Sequence, residues 1–121
     1  MLELNLSGNN VGCAGAGHLA EMLARPACSL QYLHVDSCRI GADGAARIAG
    51  GLAENTNLLQ LRIGNNELDD AAVSLLLTTA NRHGKLADLH CGLNRIGCHA
   101  LEPLLRAMSR PYVERGRCCY Y

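Results

Sequence analysis

The chain has 121 residues with 11 basic and 11 acidic side chains, enough for one domain and with no overall charge to attract nucleic acid. An apolar share of 49% excludes a disordered chain, and the longest apolar run, residues 71–80, is far short of the roughly 20 residues of a membrane helix. Among the apolar residues 21 Leu and 16 Ala dominate, Phe and Trp are absent and Tyr occurs four times, so the core must be built from many small, repeated contacts. The seven cysteines form an odd set without a C-x-x-C pair, and the start of the chain, with Glu3 and no basic stretch, carries no secretory signal. Reduced thiols and a cytoplasmic setting are expected, rather than a disulfide framework or a zinc site.

The first unit opens at Met1 and places Leu4 and Leu6 at offsets 3 and 5, Asn9 at offset 8 and Val11 at offset 10. Alternation at offsets 3 and 5 predicts a short strand with one buried face. Ala16, Leu19, Ala20 and Leu23 then follow the i, i+3, i+4, i+7 spacing of a helix stripe. The second unit, 29 residues on at Leu30, repeats this with Leu33, Val35, Cys38 and Ile40, then Ala45, Ile48, Ala49 and Leu52. In the third, from Leu58, the same slots hold Leu61, Ile63, Asn66 and Leu68, then Val73, Leu76, Leu77 and Ala80. The fourth, from Leu86, has Leu89, Cys91, Asn94 and Ile96, then Leu101, Leu104, Leu105 and Met108. The pattern predicts four strand–helix repeats over 1–29, 30–57, 58–85 and 86–109, followed by a tail over 110–121. One strand and one helix cannot bury both their apolar faces alone, so the units must stack, with strands in a parallel sheet and helices outside.

These residues resemble the leucine-rich repeat family, and within it the ribonuclease-inhibitor-like type that NOD-like receptors and Ran GTPase-activating proteins share. The LxxLxLxxN segments and the stretch from Asn94 to Leu105 carry the resemblance, which spans residues 1 to about 109. It implies an α/β solenoid, a right-handed βα superhelix forming a short horseshoe segment, with the parallel sheet concave and the helices convex. The offset-8 residue is expected where the strand turns away, bonding the backbone of neighbouring turns. Asn supplies both donor and acceptor there, whereas Cys38 supplies a weak thiol donor. No polar capping segment precedes Met1, and the tail is the only candidate cap at the other end. The reading is therefore a fragment or short product with an open edge, at which self-association is expected.

In such a solenoid the residues flanking offsets 3 and 5 face the concave side: Glu3, Asn5 and Ser7; Tyr32, His34 and Asp36; Gln60, Arg62 and Gly64; Asp88, His90 and Gly92. With strands about 4.8 Å apart, His34 and His90 stand roughly 10 Å apart with Arg62 between them, too far and too positive to share a metal. His90 and Cys91 are neighbours but alternate faces, which argues against a thiol–imidazole pair. Gly15, Gly17 and Ala20 mimic a dinucleotide fingerprint, yet about eight residues separate Leu6 from Gly15, where that fingerprint needs glycine at the strand's end. The Asn5-Leu6-Ser7 sequon is read as idle, and the Cys118-Cys119-Tyr120-Tyr121 ending lacks the aliphatic residues of a prenylation signal.

The resemblance implies a non-catalytic module that binds a protein partner through Glu3, Asn5, Tyr32, His34, Asp36, Gln60, Arg62, Asp88 and His90 and the adjoining loops. No cofactor, metal, nucleic acid or membrane is expected. The alternative is a regulator of GTP hydrolysis resembling the Ran GTPase-activating proteins, for which Arg39 and Arg95, on equivalent loops, are the candidate residues.

Overall fold

The computed structural model describes residues 2–83 and 85–91. The later slots of the fourth repeat, the tail and Arg95 lie outside these residues. Four strands, β1 (Glu3–Asn5), β2 (Tyr32–His34), β3 (Gln60–Arg62) and β4 (Asp88–His90), form one parallel sheet in chain order. Helices α1 (Gly12–Ala24), α2 (Gly41–Glu54) and α3 (Asp70–Arg82) connect them. Register follows the repeat: Glu3 pairs with Tyr32, Tyr32 with Gln60, and Gln60 with Asp88.

The core forms where the two expected periods meet. Leu33, Val35, Leu61, Ile63, Leu89 and Cys91 are fully buried in one cluster with Ile48, Leu52, Leu76 and Leu77 from the helices. Leu4 and Leu6 fill the same slots but are only half-buried. Ala20 is half-buried as well and lies against α2, where a Cβ on Gly51 would stand 2.4 Å from its carbonyl oxygen. The two helices can approach this closely only because Gly51 has no side chain.

Helices α1 and α2 begin differently from α3. Gly12 and Gly41 have φ of +68° and +72° and donate their N–H groups to the carbonyls of Cys38 and Asn66 in the next unit. A side chain is strained at such φ values. The third unit has Asp69 in the corresponding slot, with φ −92°, and its carboxylate accepts the Ala72 N–H at 2.9 Å as an N-cap.

Two polar ladders tie the units together. At offset 8, Asn66 Oδ1 accepts the N–H groups of Cys38 (2.8 Å) and Ile40 (3.3 Å), and its Nδ2 donates to Val35 O (2.8 Å) and Gly64 O (3.0 Å). Cys38 reproduces the donor half alone: its thiol lies 3.1 Å from Leu6 O and 3.3 Å from Asp36 O. The amides that an Asn there would accept, those of Asn9 and Val11, bond Leu6 O and Asn9 O within their own unit. Asn9 is exposed and its side chain donates, among the described residues, to Leu6 O alone.

The second ladder follows the helices. Asn55, at the end of α2, accepts from Asn57 N and Leu58 N and donates to Leu23 O. His83, 28 residues on, accepts Lys85 N and Leu86 N at Nδ1, which puts its proton on Nε2, 3.2 Å from Asn55 Oδ1.

Candidate binding face

Strand alternation sends Leu4, Leu33, Leu61 and Leu89 to the core and the residues on either side of each to the opposite face. One column there is Glu3, Tyr32, Gln60 and Asp88, and the next is Asn5, His34, Arg62 and His90. Glu3, Asn5 and Arg62 are exposed, and the other five are half-buried. The sequence-predicted residues are therefore brought together as one polar sheet surface.

Just beyond the strand ends, Asp36 organises this surface. Its backbone N–H donates to Ser7 Oγ (3.1 Å), its Oδ1 accepts Gly64 N (2.7 Å) and its Oδ2 accepts Arg62 Nε (3.1 Å). Three repeats are joined through this side chain and its backbone. Held at Nε, Arg62 presents its two Nη groups without a partner among the described residues. Beside it His34 Nε2 lies 2.8 Å from Gln60 Oε1, which fixes the middle of the grid.

The loops after β2 and β3 extend the surface. Ser37, Arg39, Asn65 and Glu67 line a shallow depression, joined by a 2.9 Å bond from Asn65 Nδ2 to Ser37 Oγ. All four have positive φ, between 53° and 61°, a conformation uncommon for residues with a side chain. Sequence reading found Arg39 in this group but not the others; they recur at offsets 7 and 9, a spacing that would have marked them.

Cys91 is buried while His90 is half-buried on the opposite face, so the pair is separated as strand alternation requires. Among the described residues no three His, Cys, Asp or Glu side chains come together as metal ligands. Gly15 and Gly17 lie inside α1 rather than at the end of β1, and a Cβ on Gly15 would stand 2.6 Å from the Val11 side chain. Local packing therefore accounts for the small residue at that slot.

A family profile described as "Leucine Rich repeat" matches residues 1–20, 27–49 and 54–77. The chain belongs to the leucine-rich repeat family. Its relatives place it in the ribonuclease-inhibitor-like type: it is 33% identical over 109 residues to ribonuclease inhibitor of Sus scrofa, covering 87% of this chain and 24% of that protein. It is 37% identical over 106 residues to human NACHT, LRR and PYD domains-containing protein 12, covering 86% of this chain and 10% of that protein. The chain thus spans about a quarter of the first relative and a tenth of the second. Among solved structures, Leiomodin-1 Actin-Binding Site 2 superposes with a TM-score of 0.76 over 88% of this chain and 62% of that one, at 14% identity. This likeness is one of fold.

Proposed function

We propose that this chain is a non-catalytic protein-binding unit, and that a protein partner seats on the face formed by Glu3, Asn5, Tyr32, His34, Asp36, Gln60, Arg62, Asp88 and His90, with Arg39 at its rim. The observation that carries the reading is the Arg62–Asp36–Gly64 arrangement: a guanidinium fixed at one edge and open at the other, central in a polar sheet face. An arginine already held in place loses less entropy on contact than a mobile one, and Arg is enriched among residues that dominate interfaces. The relatives support the same reading, since ribonuclease inhibitor, by its name, acts on another protein. Four described cysteines are free thiols, which supports a reducing, cytoplasmic setting. Nothing in the geometry or in the relatives' names favours the GTPase-activating alternative.

Affinity capture with the wild type beside a variant in which Tyr32, His34, Arg62 and His90 are all Ala tests the proposal. The variant should keep its circular dichroism and lose the partner that the wild type retains. Retention of the same partner by the folded variant would move the site off this face.

A further inference from the structure

We infer that His83 is a pH-sensitive latch on the stack: as neutral imidazole it fastens the end of the third unit to the second and the fourth, and as imidazolium it releases the fourth. The ring is 6% exposed, and of the described residues with a buried polar or charged side chain, Asn55, Asn66 and His83, it alone titrates between pH 5 and 8. The other described histidines, His18, His34 and His90, are exposed or half-buried.

Both ring nitrogens of His83 are committed. Nδ1 accepts Lys85 N at 3.1 Å and Leu86 N at 2.9 Å, and Nε2 stands 3.2 Å from Asn55 Oδ1. Asn55 Nδ2 donates to Leu23 O, so Oδ1 is the atom turned toward the ring and Nε2 must carry the proton. A second proton can go only to Nδ1. There it removes the lone pair that two backbone amides share and sets an N–H against two N–H groups. Leu86 is at 0% exposure, so water is poorly placed to replace the lost acceptor.

The second unit shows what the histidine adds. Asn55 Oδ1, 28 residues earlier, accepts Asn57 N and Leu58 N in the same i+2 and i+3 pattern. An amide fastens these groups at any pH, whereas an imidazole does so only while neutral. The charged side chains on the segments that hold His83 and its partners are Arg25, Glu54, Arg82 and Lys85, all exposed and three of them cations, a setting that gives the imidazolium little support. Asp88, further along β4, is turned to the concave face.

The folded chain therefore takes up this proton less readily than the unfolded one, in which histidine titrates near pH 6.5. The latch contributes fully above that pH, and its contribution is lost as the pH falls below it. Lys85 and Leu86 lead into β4, where Ala87 N bonds Leu59 O, so acid loosens first the strand that carries Asp88 and His90. Only the effect of this on partner capture rests on the binding role proposed above.

Urea unfolding of the full chain between pH 7 and pH 5, set beside His83→Asn, tests the latch with no partner present. Carboxylates and the remaining histidines are common to both chains and cancel in the comparison. Over that range the unfolding constant of the wild type should rise about 25-fold more than that of the variant. A difference below about threefold overturns the inference. Should His83→Asn fail to fold, the ring 15N shifts of the wild type decide. A folded chain with the proton on Nε2 and a bare Nδ1 down to pH 5 bears the latch out, whereas an imidazolium forming in the folded chain near pH 6.5 overturns it.

Discussion

Replacing Asn66 by Ala should destabilise the chain far more than replacing Asn9, although both fill offset 8. Asn66 is fully buried, and its side chain serves four backbone groups: Cys38 N, Ile40 N, Val35 O and Gly64 O. Truncation leaves Cys38 N and Val35 O, both in residues at 0% exposure, without their 2.8 Å partners, while the 3.3 Å bond from Ile40 N and the bond to half-buried Gly64 O count for less. At about 1–3 kcal/mol for each buried group left unpaired, the loss is about 3 kcal/mol. Asn9, exposed and with its side chain bonded among the described residues to Leu6 O alone, should lose less than about 1 kcal/mol on the same change.

Urea unfolding followed by circular dichroism and by Tyr fluorescence gives both values, provided that the two probes coincide and the slope is unchanged. Asn66→Asp supplies the isosteric control. It keeps the acceptor for the two amides but aims a carboxylate oxygen at Val35 O and Gly64 O, so it should cost at least as much as Ala. Equal destabilisation by Asn66→Ala and Asn9→Ala would refute the ladder as the source of stability, since composition and repeat slot are the same in both.

Three further outcomes are expected. Gly51→Ala should cost about 1–3 kcal/mol, because the new Cβ would stand 2.4 Å from Ala20 O, whereas Gly50→Ala, exposed and with nothing within 4 Å, should stabilise by up to about 1 kcal/mol; thermal melts of the pair give the opposite signs. His83→Asn should retain more stability than His83→Ala, because Asn55 shows that an amide at this slot can accept the same i+2 and i+3 N–H groups; urea midpoints rank the two. Asp36→Asn should keep the bond from Gly64 N through Oδ1 and cost less than about 1 kcal/mol, the Arg62 side chain being 47% exposed, yet weaken partner capture by releasing Arg62; calorimetry against the captured partner separates the two effects.

The repeat was legible because its signal is apolar and periodic. Leu33, Leu61 and Leu89, and the stripes of α2 and α3, are buried where spacing alone places them. The concave columns were legible for the same reason, since strand alternation leaves one face once the other is assigned. The helix-end ladder was not. Asn55 and His83 differ in size and chemistry, and neither belongs to an apolar pattern; only their 28-residue separation hints that one role is filled twice. The role of Asp36 was equally hidden, because its partners Ser7, Arg62 and Gly64 are 29, 26 and 28 residues away and become neighbours only when the repeats stack.

Stacking also decides which positions are free to carry function. In the second and third units the residues at offsets 3, 5 and 10 and on the helix stripe are committed to the core, and offset 8 to the backbone of the preceding repeat. Their identities are constrained by packing, so one unit differs little from the next there. Offsets 2 and 4 carry no such duty. Glu3, Tyr32, Gln60 and Asp88 share no common chemistry, nor do Asn5, His34, Arg62 and His90, although each set occupies one row of the same sheet. A regular scaffold that holds an irregular row of polar groups at fixed spacing can specify a partner without altering its own fold. Asp36 is the position where the two demands meet: one carboxylate oxygen secures the next repeat's backbone while the other aims the arginine on the open face.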